Sequence, residues 1–344
     1  MLKTIQEAVQ QLLPARRKTN SSGWVSFNAP CCTHNGESAD TRGRGGFVFN
    51  ADGGTSYHCF NCNYKANYTP GRHLNYKFRK LLAWLGADDT TVKRLVIEAI
   101  RIRELVTPES TSEETREEIV FKPRPLPEGA KSFTELSAWY KMQDYENIPE
   151  DLTLAVDYVI QRKITVSEEK YNFYWTSDQE HNYHRRVIIP FYWQGQLIGS
   201  TARATVEGIK PKYYSDYEPN FVFNVDQQTP EKKFVIVVEG PFDAMAIDGV
   251  AVLSNECSET QADIIDSLAR EVIVVPDRDR AGVKLVDAAI EYGWSVSFPI
   301  WHETCKDVSE AVVKYGKLFV LKTVLESRQS SRLKIELHKK KLYN

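Results

Sequence analysis

The stretch Lys232–Gly249, KKFVIVVEGPFDAMAIDG, decides the fold when it is set beside Glu271–Gly282, EVIVVPDRDRAG. Each contains an apolar, β-branched run, FVIVV or VIVV, and each run stops abruptly at acid: Glu239 in the first, Asp277 and Asp279 in the second. Short apolar runs bounded by turn residues suit strands buried on both faces of a parallel sheet. Side chains at the carboxyl ends of such strands line the crevice where doubly wound α/β folds bind ligands. One carboxylate from the first strand and two from its neighbour then converge on a single patch. Carboxylates grouped in this way repel unless a cation sits between them, and hard oxygen ligands suit magnesium or manganese. The pattern predicts a divalent-metal site that handles phosphates.

Toward the C-terminus the α/β alternation continues. After FVIVVEG come a helix (PFDAMAIDG), a strand (VAVLSN), a helix (SETQADIIDSLAR), the strand EVIVVPD, a helix (AGVKLVDAAIEYG), a strand (WSVSFPIW) and a helix (KDVSEAVVKYG). Strands alternating with helices of this length impose right-handed parallel crossovers. Asp307 opens the last of these helices, either as its N-terminal cap or reaching toward the metal patch. Asp243, one helical turn past Glu239, is an accessory ligand or a structural cap. The end, SRQSSRLKIELHKKKLYN, reads as a basic helix or tail suited to nucleic acid or an acidic partner.

Toward the N-terminus, residues 130–230 are mixed. FTELSAWYKMQ and LTLAVDYVIQRK carry helical periodicity, and the strands RRVIIPFYW and QLIGSTARA are joined at Gln194-Gly195, a hairpin signal. Arg185, Arg186, Arg203, Lys210 and Lys212 bracket that hairpin, as a solvated sheet face or as a binding surface. Before it, TPESTSEETREEIVFKPRPLPEG is acidic and then proline-rich, the composition of a tether. FRKLLAWLG and TVKRLVIEAIRIREL, still earlier, read as helices broken at Gly86.

Residues 20–75 hold four of the six cysteines. Cys31-x-x-His34 followed by Cys59-x-x-Cys62 offers two ligand pairs on separate turns, which suits tetrahedral zinc in a zinc ribbon. Cys32 is an alternative to Cys31, and His58 is a competing histidine. The bland reading is free buried cysteines beside a surface histidine. Arg42, Arg44, Arg72 and Arg79 interleave with aromatic residues; the arginines suit phosphates, and most of the aromatics suit the core of a small domain.

The composition is that of an ordinary soluble protein, with 42% hydrophobic and 26% charged residues and a net charge of −2. No run approaches the roughly 18 apolar residues that a membrane span needs, and MLKTIQEAVQQLLPARRK lacks the apolar segment of a signal peptide, so cytoplasmic placement is expected. Cysteines without an export signal favour metal over disulfides.

The run from Phe234 through Asp307 resembles a Toprim domain, shared by DnaG-type primases, some topoisomerases, certain nucleases and RecR-type recombination proteins. The cysteine module is similar to the zinc-binding domain at the front of DnaG-type primases, and RVIIPFYWQGQLIGSTAR with PKYYS resembles the first half of the primase RNA-polymerase domain. The three occur in family order over most of residues 25–320. Chain length, EGPFDA, the KDV segment and the lack of a fused helicase resemble the T-even-bacteriophage-type primases most. Two features depart from the pattern. His34 stands where such phage enzymes often have cysteine, and Phe221 in FVFNVD replaces a family lysine, followed by Asn224 where glycine is usual.

The resemblance implies an α/β protein made of a zinc ribbon (1–75), a helical segment and linker (76–129), an α+β basic subdomain (130–230), a Toprim-type parallel α/β unit with C-terminal helices (231–326) and a basic tail (327–344). It implies synthesis of short RNA primers on single-stranded DNA from ribonucleoside triphosphates, beside a replicative helicase in a primosome. Glu239, Asp277 and Asp279 would be catalytic and hold Mg2+ or Mn2+, with Asp243 and Asp307 as further candidates. Arg186, Arg203 and Lys212, with Arg185, Lys210 and Tyr213, would contact template and nucleotide. The rivals are a Toprim nuclease and a non-enzymatic DNA-binding scaffold of the RecR kind.

Overall fold

The structure, a computed structural model, describes residues 2–106, 119–134, 136, 146–164, 170–179, 182–302 and 304–343. The first half of the expected tether (107–118) and most of the helix expected over FTELSAWYKMQ lie outside these residues.

Among the described residues three five-stranded sheets follow one another along the chain. The first is an antiparallel meander of β1 (Lys18–Thr19), β2 (Val25–Phe27), β3 (Gly45–Phe49), β4 (Thr55–Cys59) and β5 (Lys65–Tyr68). Alternation along β3 and β4 turns Phe47 and Tyr57 inward, where they pack with Phe27 and Tyr68. Helices Thr4–Leu12, Tyr76–Trp84 and Asp89–Val106 add Ile5, Val9, Phe78, Leu81, Leu95 and Ile102 to the same core. The helices expected as a separate segment after residue 75 thus lie on the ribbon. Their apolar stripe covers a small sheet that could not bury its own inner face.

The second sheet runs β10-β9-β8-β7-β6, built from β6 (Lys131–Ser132), β7 (Tyr174–Trp175), β8 (Arg186–Trp193), β9 (Gln196–Ala204) and β10 (Tyr213–Tyr217). The β8–β9 hairpin turns at Gln194-Gly195, as its sequence predicts. Both residues have positive φ, 51° and 77°, which a tight turn compatible with strand twist requires. The Asp226 carboxylate accepts both of their N–H groups, at 3.1 and 2.9 Å.

The third sheet, β12-β11-β13-β14-β15, consists of β11 (Phe234–Val238), β12 (Val250–Ala251), β13 (Glu271–Val274), β14 (Ser295–Ser297) and β15 (Arg328–Gln329). β12, β11, β13 and β14 are parallel and β15 closes the edge antiparallel. Val235, Val237, Val272 and Val274 have no accessible surface, as strands covered on both faces require. Helices Pro241–Ile247, Glu259–Ser267, Gly282–Tyr292, Val308–Tyr315 and Lys317–Glu326 supply the cover. The basic C-terminal stretch forms β15 and the helix Arg332–Tyr343, anchored by buried Ile335 and by Lys339 on Asp287 at 2.5 Å. An antiparallel bridge between Phe223 and Ala251 ties the second unit to the third, and one hydrophobic core runs through both.

Gly199 shows how tightly β9 and β10 are joined. Its φ is +153°, and a Cβ there would lie 2.3 Å from the Asp216 carbonyl oxygen on β10. Gly199→Ala is expected to lower stability by about 2–4 kcal/mol, through overlap and backbone strain together, measured by urea unfolding; an unchanged midpoint would show that the strands part freely.

Candidate active site

The β11–β13 register, Phe234 opposite Glu271 through Val237 opposite Val274, sets the acids side by side at the carboxyl ends of the strands. Glu239 is the first residue past β11, and its Oε1 accepts the Asp277 N–H at 3.3 Å. The loop Asp277–Gly282 then runs beside the segment entering the helix Val308–Tyr315, where the Arg278 N–H donates to the Lys306 carbonyl at 2.9 Å. That helix receives two carboxylates at its N-terminus. Asp307 accepts the Glu310 N–H at 2.7 Å, and buried Asp243 accepts the Ser309 N–H at 2.8 Å. Asp279 accepts the N–H groups of Ala281 and Gly282 at 2.8 and 3.2 Å, so it caps the helix Gly282–Tyr292. Gly282 has no room for a side chain: a Cβ would lie 2.3 Å from the Asp277 carbonyl oxygen.

These carboxyls act on one another. Burial pushes Asp277 up to about 9, and the negative charge of Asp243, Glu239, Asp307 and Asp279 adds to it. Burial and then Asp307 raise Asp243 to about 8. Burial raises Glu239 to about 7, with Asp279 adding and the Asp277 N–H opposing. The three acids singled out by sequence therefore neighbour one another in charge, although their carboxylate oxygens do not all lie within 4.8 Å of one another as a shared metal would draw them, and both accessory candidates join them as caps.

A cationic side faces this acidic one. The Arg203 guanidinium lies over the Tyr213 ring at 4.8 Å and the Tyr158 ring at 5.7 Å. Burial, then Arg203 and Arg162, lower the Lys212 pKa, while Asp307 and Asp277 oppose that shift. Burial raises the Tyr213 pKa, and the ring feels both Arg203 and Asp243. Arg162 was not anticipated from sequence. It follows the helix Glu150–Gln161, lies over Tyr158 and Phe242 at 5.1 and 5.2 Å, and donates to Ser309 Oγ at 3.0 Å. The only sequence signal was a basic residue at a helix C-terminus, which ordinarily reads as favourable interaction with the helix dipole.

Other expected contacts go elsewhere. Arg186 is 1% exposed and donates to the carbonyls of Asn182, Ala202 and Lys212 at 2.9, 3.3 and 3.5 Å. It holds β8, β9 and the Lys212 turn together and presents nothing to a ligand, because an arginine at the buried start of a strand must find acceptors inside. Arg185 pairs with Glu150 at 3.4 Å, and Lys210 is exposed before the cis peptide to Pro211. Of the ribbon arginines, Arg44 pairs with Asp40 at 3.0 Å, Arg72 with Asp263 at 2.6 Å and Glu259 at 3.4 Å, and Arg79 donates to the Ala269 carbonyl at 2.5 Å. Arg72 and Arg79 thus fasten the ribbon to the parallel α/β unit. Phe221 is buried among aromatic rings, and Asn224 adopts a left-handed backbone, with φ 69°, which asparagine tolerates where glycine is usual.

The cysteine centre corrects one ligand. The sulfurs of Cys31, Cys32, Cys59 and Cys62 all lie within 4.8 Å of one another, the one such group of metal-type ligands among the described residues. His34 is outside it. The turn Thr33–Asn35 carries its ring away to stack on Trp84, 4.7 Å between centroids and 4° from parallel. His58 packs against Phe60 instead. Four sulfurs at this spacing fit tetrahedral zinc, whose Zn–S bonds are about 2.3 Å. The surroundings donate to sulfur: Asn61 Nδ2 reaches Cys32 at 3.3 Å and Asn35 Nδ2 reaches Cys62 at 3.6 Å. Hydrogen bonding to Cys59 and Cys62 and burial hold the Cys31 thiol far above its ordinary pKa, while hydrogen bonds from Cys31 and Cys62 pull Cys59 down. Four thiols packed together can share only limited negative charge until a cation neutralises it.

No protein-family model matches this sequence. The chain is similar to the DNA primase of Aquifex aeolicus (strain VF5), 27% identical over 152 residues that take in 39% of this chain and 30% of that protein. It thus spans under a third of the length of the curated relative it matches. Among solved structures it is similar to the zinc-binding and RNA-polymerase domains of the Aquifex aeolicus primase, 17% identical over 95% of this chain and 85% of that one, with a TM-score of 0.41. It is also similar to a DnaG catalytic core, 19% identical over 57% and 80%, with a TM-score of 0.41.

Two outcomes test the site. Cys32→Ser is expected to lower bound zinc well below one equivalent by elemental analysis, whereas His34→Ala retains it; the reverse result would restore His34 as the ligand. In the metal-free protein, Glu239, Asp243 and Asp277 keep their protons to higher pH than in the unfolded chain, where such groups titrate near 4. The folded state then binds more protons between about pH 4 and pH 9, so stability is full at the acid end and is lost as pH rises through that window. Melting temperature without divalent ions is expected to fall from pH 5 to pH 9, and Asp243→Asn to flatten the slope. A melting temperature that rises with pH would contradict the burial of these acids.

Proposed function

We propose that this chain is a DNA primase, a nucleotidyltransferase that builds short RNA primers on single-stranded DNA from ribonucleoside triphosphates. The observation that carries this reading is the grouping of the loop acids Glu239, Asp277, Asp279 and Asp307 with the helix residue Asp243, beside the cations Lys212, Arg203 and Arg162. Acids alone would serve many metal-dependent reactions. Acids with cations across from them suit a substrate that brings both phosphate charge and divalent ions. The similarity to the Aquifex aeolicus primase supports the same reading. Within that family, the EGPFDA and KDV segments favour the T-even-phage type.

In this reading Glu239, Asp277 and Asp279 hold Mg2+ or Mn2+, with Asp243 and Asp307 behind them. A bound ion of this kind stabilises the attacking and leaving oxygens of an in-line phosphoryl displacement. Glu239 would also take part in moving the proton of the attacking 3′-hydroxyl. Lys212, Arg203 and Arg162 neutralise the triphosphate and orient it, which matters most when two free nucleotides must be joined. The four cysteines hold a structural zinc, and the ribbon grips template. A replicative helicase is the expected partner, within a primosome.

The test is incubation of the full chain with single-stranded templates of varied sequence, Mg2+ and labelled ribonucleotides. New short RNA is expected, and Asp277→Asn or Glu239→Gln is expected to reduce it by about 100-fold or more. Shortened DNA in place of new RNA would make the protein a nuclease, and full function in Asp277→Asn would make it a non-enzymatic scaffold.

A further inference from the structure

Tyr158 lies on the exit turn of the helix Glu150–Gln161, and the functional reading above gives it no role. Two guanidiniums lie over its ring, Arg162 at 5.1 Å and Arg203 at 5.7 Å. Phe242, from the helix that follows Glu239, meets the same ring edge-on at 5.4 Å and 70° and lies beneath Arg162 at 5.2 Å. Tyr213 supports Arg203 from its other contact, at 4.8 Å. Arg162 and Arg203 come from different elements, the end of a helix and strand β9, and they share Tyr158 as a common support.

Cations gathered in this way repel one another. Something must hold them: the charges of Asp307 and Asp243 act on Arg162, which also donates to the Ser309 hydroxyl beside Asp243. The Nε of Arg203 has no hydrogen-bond partner among the described residues, and neither does the Tyr158 hydroxyl. The hold on Arg203 is therefore aromatic. A ring face attracts a cation within about 6 Å of its centre, more strongly as water is excluded, and leaves the outer N–H groups of a guanidinium free to donate. A carboxylate in the same place would occupy those donors and cancel the charge.

We propose that Tyr158 is a positioning residue that sets Arg162 and Arg203 for the phosphates of the incoming nucleotide through its ring face. This rests on the primase reading and deepens it, by naming what aims two cations without neutralising them. The ring contacts neither metal nor reacting atoms. Its effect falls on nucleotide binding, and the steps that Glu239 and the aspartates govern are affected less.

The experiment replaces Tyr158 with phenylalanine and then with mono-, di- and trifluorophenylalanine, which keep the shape of the ring while draining negative charge from its face. In the full-length, zinc-loaded protein, KM for the ribonucleoside triphosphate is expected to climb with each fluorine, by about 10-fold across the series, while kcat moves by less than about 2-fold. A KM that stays flat across the series overturns the proposal, as does a fall in kcat at constant KM. Tyr158→Leu serves as a second variant, expected to reach or exceed the trifluoro value; where it fails to fold, the fluorinated series still decides. Absence of RNA product from the unsubstituted protein would sink the primase reading itself, a result distinct from normal synthesis with a flat series.

Discussion

Like charges crowded together, one of them buried and most of the others half-buried, are the constraint on which the rest of this structure depends. The parallel pairing of β11 with β13 brings Glu239 against Asp277, and the loop entering the helix Val308–Tyr315 adds Asp307 above buried Asp243. In a metal-free protein these groups find relief by keeping protons, which is why burial lifts three of them so far. The helix N-terminus, the capping N–H groups and the absence of a side chain at Gly282 hold them in place despite their repulsion.

The parts most legible in the sequence were those in which residue type and position carry the same message. An apolar β-branched run ending in acid has few structural solutions, and β11 and β13 with their acids took the expected one. The Gln194-Gly195 turn was equally plain, since a two-residue connection demands positive φ and its sequence permits it. Metal ligation was harder. Two-residue spacing made Cys31 and His34 look like a knuckle, yet adjacent cysteines at 31 and 32 both point at the centre once the chain turns tightly after them. Spacing reports which residues can share a turn; only the backbone path decides which of them face inward.

The basic residues were the least legible, for a related reason. A sequence shows charge and hides its neighbours. Arg186 and Arg203 look alike in RRVIIPFYW and QLIGSTARA, but one is enclosed and satisfied by carbonyls while the other rests on tyrosine rings. Arg162 carried no motif at all and became visible only when Ser309 and Phe242 were found beside it. The ribbon arginines Arg72 and Arg79, which suit phosphates by composition, are engaged by Glu259, Asp263 and the Ala269 carbonyl.

The bridge between Phe223 and Ala251, with the single core that passes through both of the larger sheets, has a mechanical consequence. Acids and cations come from different units, so a loose joint between the units would let the two sides drift and the distance between them vary from molecule to molecule. Packing of Phe191, Phe221 and Phe223 against the strands of the parallel sheet removes that freedom. The gap between the opposing charges is fixed as the chain folds, like the jaws of a caliper locked at one setting, and a bound molecule must match a width chosen before it arrives.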